Sequence, residues 1–292
     1  MTARAAAGAP AVRAAAGRIP LPRRAGGDAL AYLALAAGGV LVVFPFLWML
    51  ATSLKGPREI FELHFWPQAP TLENFRQVLT ATQFPRWILN SAAVAVITTG
   101  SVAFFDSLAG YTLTKLRFPG RNVIFVVILS TLMIPTEMLV IPWYTMSVRF
   151  GWIDTYWGIM FPGLTSAFGV FLMRQFMTGI PDELLDAGRI DGVSEFGLFT
   201  RIALPLVRPA LAALCIFTFL GNWNAFLWPL IVIQTPAMRT LPVGIALFSG
   251  EAGSAWHLIM AASTLAVLPV LAVFIVLQRQ IIEGVVLTGL RN

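Results

Sequence analysis

Apolar residues in this chain run in long blocks, with the polar residues gathered in the gaps between them. Six blocks are long enough to cross about 30 Å of hydrocarbon as helices. They are Ala29–Leu54, Trp87–Thr114, Asn122–Val148, Thr155–Met173, Pro209–Met238 and Leu258–Gln278, and the only charges inside them are Asp106 and Glu137. Pro162 and Gly163 interrupt the fourth block. The longest polar interruption in the C-terminal half, Ile180–Ala210, has a helical pattern of its own. Pro181 suits a first helical position, and Asp182 and Glu183 follow where carboxylates complement the helix dipole. Gly192 is placed to end that helix in the left-handed conformation. Ser194 can cap a second helix running toward Pro205, with Phe196, Phe199, Ile202 and Ala203 at helical spacing. Leu184, Leu185, Ala187 and Ile190 give the first helix an apolar side, while Asp182, Asp186 and Arg189 line another. Such a build suits docking better than a free loop.

Composition agrees with a membrane protein. Of 292 residues 58% are hydrophobic and 12% charged, and the mean hydropathy is +0.78. An ordinary soluble domain has near a quarter charged residues. The fold class expected is therefore an all-α integral membrane protein with six transmembrane helices. Residues Met1–Asp28, rich in Ala, Gly, Pro and Arg, read as a disordered basic tail. The block after it runs too long for a signal-peptide core and reads as an uncleaved anchor. Residues 29–292 form one membrane domain, without an internal repeat. The single cysteine, Cys215, rules out an intrachain disulfide.

The basic balance is a topology signal rather than a sign of nucleic acid. Fourteen of the 20 Lys and Arg residues precede block one, separate blocks two and three or four and five, or follow block six. The remaining six are Lys55, Arg58, Arg76, Arg86, Arg149 and Arg239. The positive-inside rule thus predicts both termini and Ile180–Ala210 in the cytoplasm. The amphipathic loop Lys55–Arg86 and the loops near Arg149–Asp154 and Arg239–Trp256 then lie outside. Tryptophans 143, 152, 157, 228 and 256 fall near the outer ends, as an aromatic belt requires.

Catalytic signals are missing. No phosphate-binding glycine loop occurs, no nucleophile sits in a recognisable setting, and His64 and His257 lack partners at metal-ligand spacing. The chain reads as a non-enzyme, with no metal site and no cofactor of its own. Asp106 and Glu137 are ionisable groups at membrane depth, which points to a solute pathway or proton relay. Ser107 and Gly110 beside Asp106 equally allow a helix–helix contact, and Pro135 and Pro142 put Glu137 near an irregular helix end. Asn222, Trp223 and Asn224 form a second polar cluster. Asparagines can bond a sugar hydroxyl and an indole can stack on a sugar ring, but interhelical hydrogen bonding beside Gly221 explains them as well.

The segment Glu183-Leu184-Leu185-Asp186-Ala187-Gly188-Arg189-Ile190-Asp191-Gly192-Val193, followed by Phe199, Leu204-Pro205-Leu206 and Pro209, resembles the EAA signature of binding-protein-dependent ABC importer permeases. Asn90-Ser91, Leu108-Ala109-Gly110-Tyr111, Phe118-Pro119-Gly120-Arg121 and Phe171–Phe176 are similar to the carbohydrate-uptake branch, as are Trp223–Leu230, Thr240–Gly244 and Gln278-Arg279. The likeness is greatest to the shorter permease subunit of maltose-type importers. Asp186 and Gly188 replace the usual glutamate and second alanine; glycine weakens a helix by about 1 kcal/mol against alanine.

The resemblance implies a type I importer permease fold with a cytoplasmic coupling helix between spans four and five. Asp182, Glu183, Leu185, Asp186, Ala187, Gly188, Ile190, Asp191 and Gly192 would form the coupling region. Implied partners are a second permease subunit, two ATPase subunits that bind ATP and Mg, and an extracytoplasmic solute-binding protein. The cargo implied is a sugar or sugar-like polyol, moved by alternating access across a bacterial inner membrane. A glycerol-3-phosphate or sugar-phosphate permease is the nearest alternative. A proton-coupled transporter titrating Asp106 or Glu137 would leave the EAA-like segment unexplained.

Overall fold

The first apolar block forms a single unbroken helix, α1 (Ala25–Ser53), which contains Pro45. A computed structural model describes residues 25–250 and 253–289; the rest of the predicted basic tail, residues 1–24, lies outside them. The carbonyls at the end of α1 are met by a buried side chain. Asn74, on the short helix α2 (Glu73–Thr80), donates from Nδ2 to Ser53 O at 2.7 Å and Lys55 O at 2.8 Å. Lys55 is itself buried; its ammonium donates to the carbonyls of Glu62 and His64 and lies over the Trp48 ring. The loop after α1 is therefore folded back and hydrogen-bonded.

The second block becomes α3 (Phe84–Lys115), 32 residues long with a proline in its first turn. At 1.5 Å per residue it spans about 48 Å, more than the hydrocarbon needs, so both ends reach polar surroundings. Its first turns clamp a distant segment. Trp87 Nε1 donates to Pro236 O at 3.0 Å, and Asn90 Nδ2 donates to Ala237 O and Arg239 O at 2.9 and 2.8 Å. Asn90 Oδ1 accepts from the Tyr156 hydroxyl at 2.6 Å, and Ser91 Oγ accepts from Leu241 N–H at 2.7 Å. A Cβ on Gly244 would collide with the Trp87 ring. The Asn90-Ser91 and Thr240–Gly244 sequences are thus two halves of one joint.

The third, fourth and fifth blocks are not continuous helices. The third divides into α4 (Arg121–Ser130) and α5 (Val140–Arg149) with 3-10 turns between, and its two halves bend by 95°. Pro135 explains the break: the residue before proline is pushed out of the helical region, and Ile134 is extended at φ −88°, ψ 116°. The fourth runs as α6 (Tyr156–Met160), a 3-10 turn at Phe161–Gly163, and α7 (Ala167–Thr178), with a 44° bend. Ser166 caps α7 by accepting from Gly169 N–H. Beyond the polar element, which holds α8 (Asp182–Ile190), α9 (Glu195–Leu198) and α10 (Leu204–Leu206), lies α11 (Arg208–Trp223). The predicted block Pro209–Met238 stops there and restarts as α12 (Leu227–Val232). The amides of Asn222 and Asn224 turn back onto Thr218 O and Leu220 O, each at 2.9 Å, and such backbone competition favours helix ends. Two last helices, α13 (Leu241–Ala246) and α14 (Trp256–Gly289), flank a two-residue antiparallel pairing of Ser249–Gly250 with Gly253–Ser254.

By length and composition, three helices among the described residues can cross a membrane, or up to six if each bent pair is one span. One buried cluster joins Val102 and Tyr111 of α3 to Met173 and Met177 of α7, then to Leu185, Leu198, Phe199 and Leu214. A second joins Val78, Phe84, Trp87, Trp223, Leu241 and Leu258. A third joins Val94, Ile159, Met160 and Val232. Asp154, at φ 58°, ties the turn after α5 to the chain after α12. Its Oδ1 accepts from Gln234 N–H at 2.9 Å and Thr235 N–H at 3.0 Å.

Asn90→Ala removes the donors of two carbonyls and the acceptor of Tyr156 at once. Unfolding followed by calorimetry in detergent should show a loss of about 1–3 kcal/mol, the cost of stranding buried polar groups; an unchanged transition would mean that the joint contributes no stability.

Candidate functional site

Three residues after α7, the chain turns into α8, and local sequence sets both of its ends. Pro181 precedes it with extended backbone (φ −59°, ψ 133°), and Asp182 and Glu183 occupy the first turn. At the far end Gly192 has φ 76°. Val193 N–H bonds Gly188 O at 2.9 Å and Gly192 N–H bonds Arg189 O at 3.0 Å. That pair of bonds is the Schellman arrangement, which satisfies carbonyls left over at a helix end. Ser194 then caps α9, its Oγ accepting from Gly197 N–H at 3.2 Å. A π turn at Phe199–Ala203 carries the helix on to α10.

Tertiary packing decides which face of α8 is hidden. Leu185 is fully buried in the cluster formed by Tyr111, Met173, Met177, Leu198 and Phe199. A Cβ on Gly188 would lie 2.5 Å from Leu198 Cδ2 and 3.0 Å from Ile202 Cδ1. The glycine that weakens the helix locally is thus the place where α9 packs against it. Leu184, Ala187 and Ile190 do not share the side of Leu185; they remain exposed with Glu183, and Ile190 is 87% exposed. Adjacent helical residues point about 100° apart, and with Leu185 aimed into the core Leu184 is left about half exposed.

Charged groups from α3 fasten this element in place. Lys115 Nζ donates to Ile180 O and to Asp182 Oδ1, each at 2.6 Å. That contact holds the Asp182 carboxyl below its ordinary value, first through the Lys115 hydrogen bond and then through its charge. Arg189 bridges Asp186 and Glu195, both at 2.7 Å, and the Tyr111 hydroxyl donates to Glu195 at 3.1 Å. A cavity of about 380 Å³ between these groups is lined by Lys115, Leu116, Arg117, Asp182, Leu185, Asp186, Arg189 and Glu195. Asp191 is the C-cap, its N–H on Ala187 O. Lys115, Tyr111 and Glu195 escaped the sequence reading because no local pattern links Lys115 to Asp182, 67 residues away.

The residues read from sequence as solute contacts lie apart from this element. Asp106 is fully buried between α3 and α7 and bonded to Ser166. Trp223 is 3% exposed and stacked on Phe219 at 5.7 Å, so its indole packs the core and offers no open stacking face. Asn222 is half-buried and Asn224 exposed, at the end of α11. Glu137 is exposed, in the 3-10 turn of the elbow between α4 and α5.

Residues 106–286 match the family of binding-protein-dependent transport system inner membrane components. The chain belongs to that family. AraQ of Bacillus subtilis, an arabinooligosaccharides transport system permease protein, is 35% identical over 87% of this chain and 92% of the relative. UgpE of Pectobacterium atrosepticum, an sn-glycerol-3-phosphate transport system permease protein, is 33% identical over 91% of this chain and 98% of the relative. Among solved structures, a bacterial ABC transporter involved in the import of the acidic polysaccharide alginate shares the fold, with TM-score 0.79 at 21% identity. That match covers 89% of this chain and 99% of the other. As a family member the chain is a non-catalytic permease subunit of an ABC importer.

Two measurements check the geometry of α8. Gly192→Ala forces a Cβ into the left-handed region and should lower the unfolding free energy by about 1–2 kcal/mol, whereas Gly192→Asn, better tolerated there, should lose less; equal stability for all three chains would contradict the Schellman end. The Lys115–Asp182 pair sets a pH response. A carboxyl whose folded value is depressed adds stability above its unfolded value, near 3.9, and loses it as pH falls through the folded value. Lys115→Gln should therefore narrow the stability difference between pH 6 and pH 3 relative to wild type, in thermal unfolding scans at the two pH values.

Proposed function

We propose that this chain is one of two membrane subunits through which an ATP-driven importer carries a sugar or sugar-like solute into the cytoplasm. One observation carries the reading: α8 presents Glu183, Leu184, Ala187 and Ile190 outward on a backbone fixed at both ends. An apolar row exposed on a polar element is the mark of a surface awaiting a partner. The partner proposed is a cytoplasmic ATPase subunit, one of a pair that binds ATP and Mg. Its closure would move α8, and with it the membrane helices, in an alternating-access cycle. The charge asymmetry supports a cytoplasmic side for α8 and both termini, and a solute-binding protein would deliver cargo to the opposite face.

The names of the relatives, for arabinooligosaccharides and sn-glycerol 3-phosphate, support a carbohydrate or polyol-phosphate cargo. No Lys or Arg lies inside any of the apolar blocks, which favours the neutral sugar unless the second subunit supplies a cation. Asn222, Asn224 and Glu137 are the pathway residues proposed. They sit where helices are broken, and broken backbone at membrane depth must face protein or a water-filled cavity. A carboxylate at Glu137 has the same requirement.

Affinity purification of the tagged chain from membranes tests the docking face. Ile190→Glu keeps the fold, since the side chain is exposed, but places a charge in the proposed seat. Wild type should bring down an ATPase and a second permease; the variant should keep the permease and lose at least about tenfold of the ATPase, as expected for truncating an interface anchor worth over 1.4 kcal/mol. Equal ATPase recovery with both chains, or a wild type that purifies alone, would overturn the reading.

A further inference from the structure

Asp106 has no part in the docking face, yet it is fully buried. Its Oδ2 accepts from the Ser166 N–H at 3.0 Å and the Ser166 hydroxyl at 3.1 Å. The same hydroxyl oxygen accepts from Gly169 N–H at 2.8 Å. The carboxylate of α3 thus holds the first turn of α7, where the helix dipole favours a negative group. Gly169 is needed for the approach, since a Cβ there would collide with Asp106 Oδ2.

About 13 Å further along α3, at 1.5 Å per residue, Lys115 grips the other end of α7 through Ile180 O and Asp182. Between the two grips the helices are in close contact. A Cβ on Gly110 would lie 2.8 Å from Arg174 N and 2.9 Å from Met173 Cβ. Helix α7 is therefore bound to α3 at its start, along its length and at its end. Helix α8 follows after Gly179–Pro181, with Leu185 in the same buried cluster as Tyr111, Met173 and Met177.

Resting on the importer reading, we infer that α3 and α7 move as one lever with α8 as its foot, and that Asp106 is the positioning residue that pins its inner end. Apolar contacts alone would let the start of α7 slide along α3, because dispersion has little directional preference. The bonds from Ser166 fix both the distance and the rotation of α7 at the break after the 3-10 turn. Loss of the acceptor would strand the Ser166 N–H in a low-dielectric seam, and a displacement of α8 would then be absorbed as slippage between the two helices.

Spin labels at Val96→Cys on α3 and Gln175→Cys on α7, both exposed, with Cys215→Ser as background, report on that slippage in the complex purified with its ATPase. Pulsed electron resonance would compare nucleotide-free complex with complex trapped by ATP and vanadate. With Asp106 present the distance should stay within about 2 Å; with Asp106→Leu it should move by about 2–5 Å on trapping, the range of helix shifts in switching proteins. Asp106→Asn, which keeps an acceptor oxygen, should behave as the parent. A merely structural defect would broaden both states equally. Should the leucine variant fail to assemble, Ser166→Ala removes the hydroxyl alone and should give an intermediate shift. A parent whose distance changes on trapping, variants that all stay rigid, or asparagine failing like leucine would overturn the lever. A parent with no ATPase to trap would overturn the importer reading, and the lever with it.

Discussion

Hydrocarbon offers no hydrogen bonds, so every backbone group that leaves a helix inside the membrane must find a partner within protein or water. Buried backbone outside the hydrocarbon has the same need for partners, and several buried polar side chains of this chain supply them. Asn74 meets the carbonyls at the end of α1. Trp87, Asn90 and Ser91 meet the irregular chain from Pro236 to Leu241. Asp106 meets the start of α7 through Ser166. Each lies on one helix and serves the interrupted end of another segment. At these places chemistry and architecture are tied together: a side chain on one helix supplies the partner that another segment lacks.

The polar element between α7 and α11 follows the same logic in water. Its ends rest on local devices, the proline and acids at one side and the Schellman turn at the other, so α8 has defined bounds without any partner. Its orientation rests on long-range contacts. Leu185 and Gly188 are drawn into the core, Lys115 and Tyr111 reach down from α3, and Arg189 joins α8 to α9. The outward row of Leu184, Ala187 and Ile190 is what remains after those contacts are made. Under the proposed importer reading, this combination is what an ATPase partner would engage: an exposed face attached to the membrane helices through buried contacts.

Much of the fold and of the polar element around α8 was legible in the sequence, because the signals involved are local. Apolar blocks mark the membrane segments, Gly192 and Ser194 mark helix boundaries, and the acids after Pro181 mark a helix start; each acts within a few residues of itself. The 95° elbow at Pro135 and the early end of α11 were harder to read. A proline or asparagine inside an apolar run is tolerated in a membrane helix when neighbours satisfy the freed groups, and neighbours are a tertiary matter. Trp223 shows the same difficulty: an indole beside two asparagines suits a sugar equally well as a core, until Phe219 is found stacked on it. The sequence by itself determined which segments are apolar enough to enter a membrane, where α8 starts and stops, and the family to which the chain is similar. Only the tertiary structure decided that Lys115 binds Asp182, that Asp106 holds Ser166, and that Gly188 is a contact rather than a weakness. Those pairings join residues far apart in the chain, and nothing in local spacing encodes which surfaces meet when helices pack.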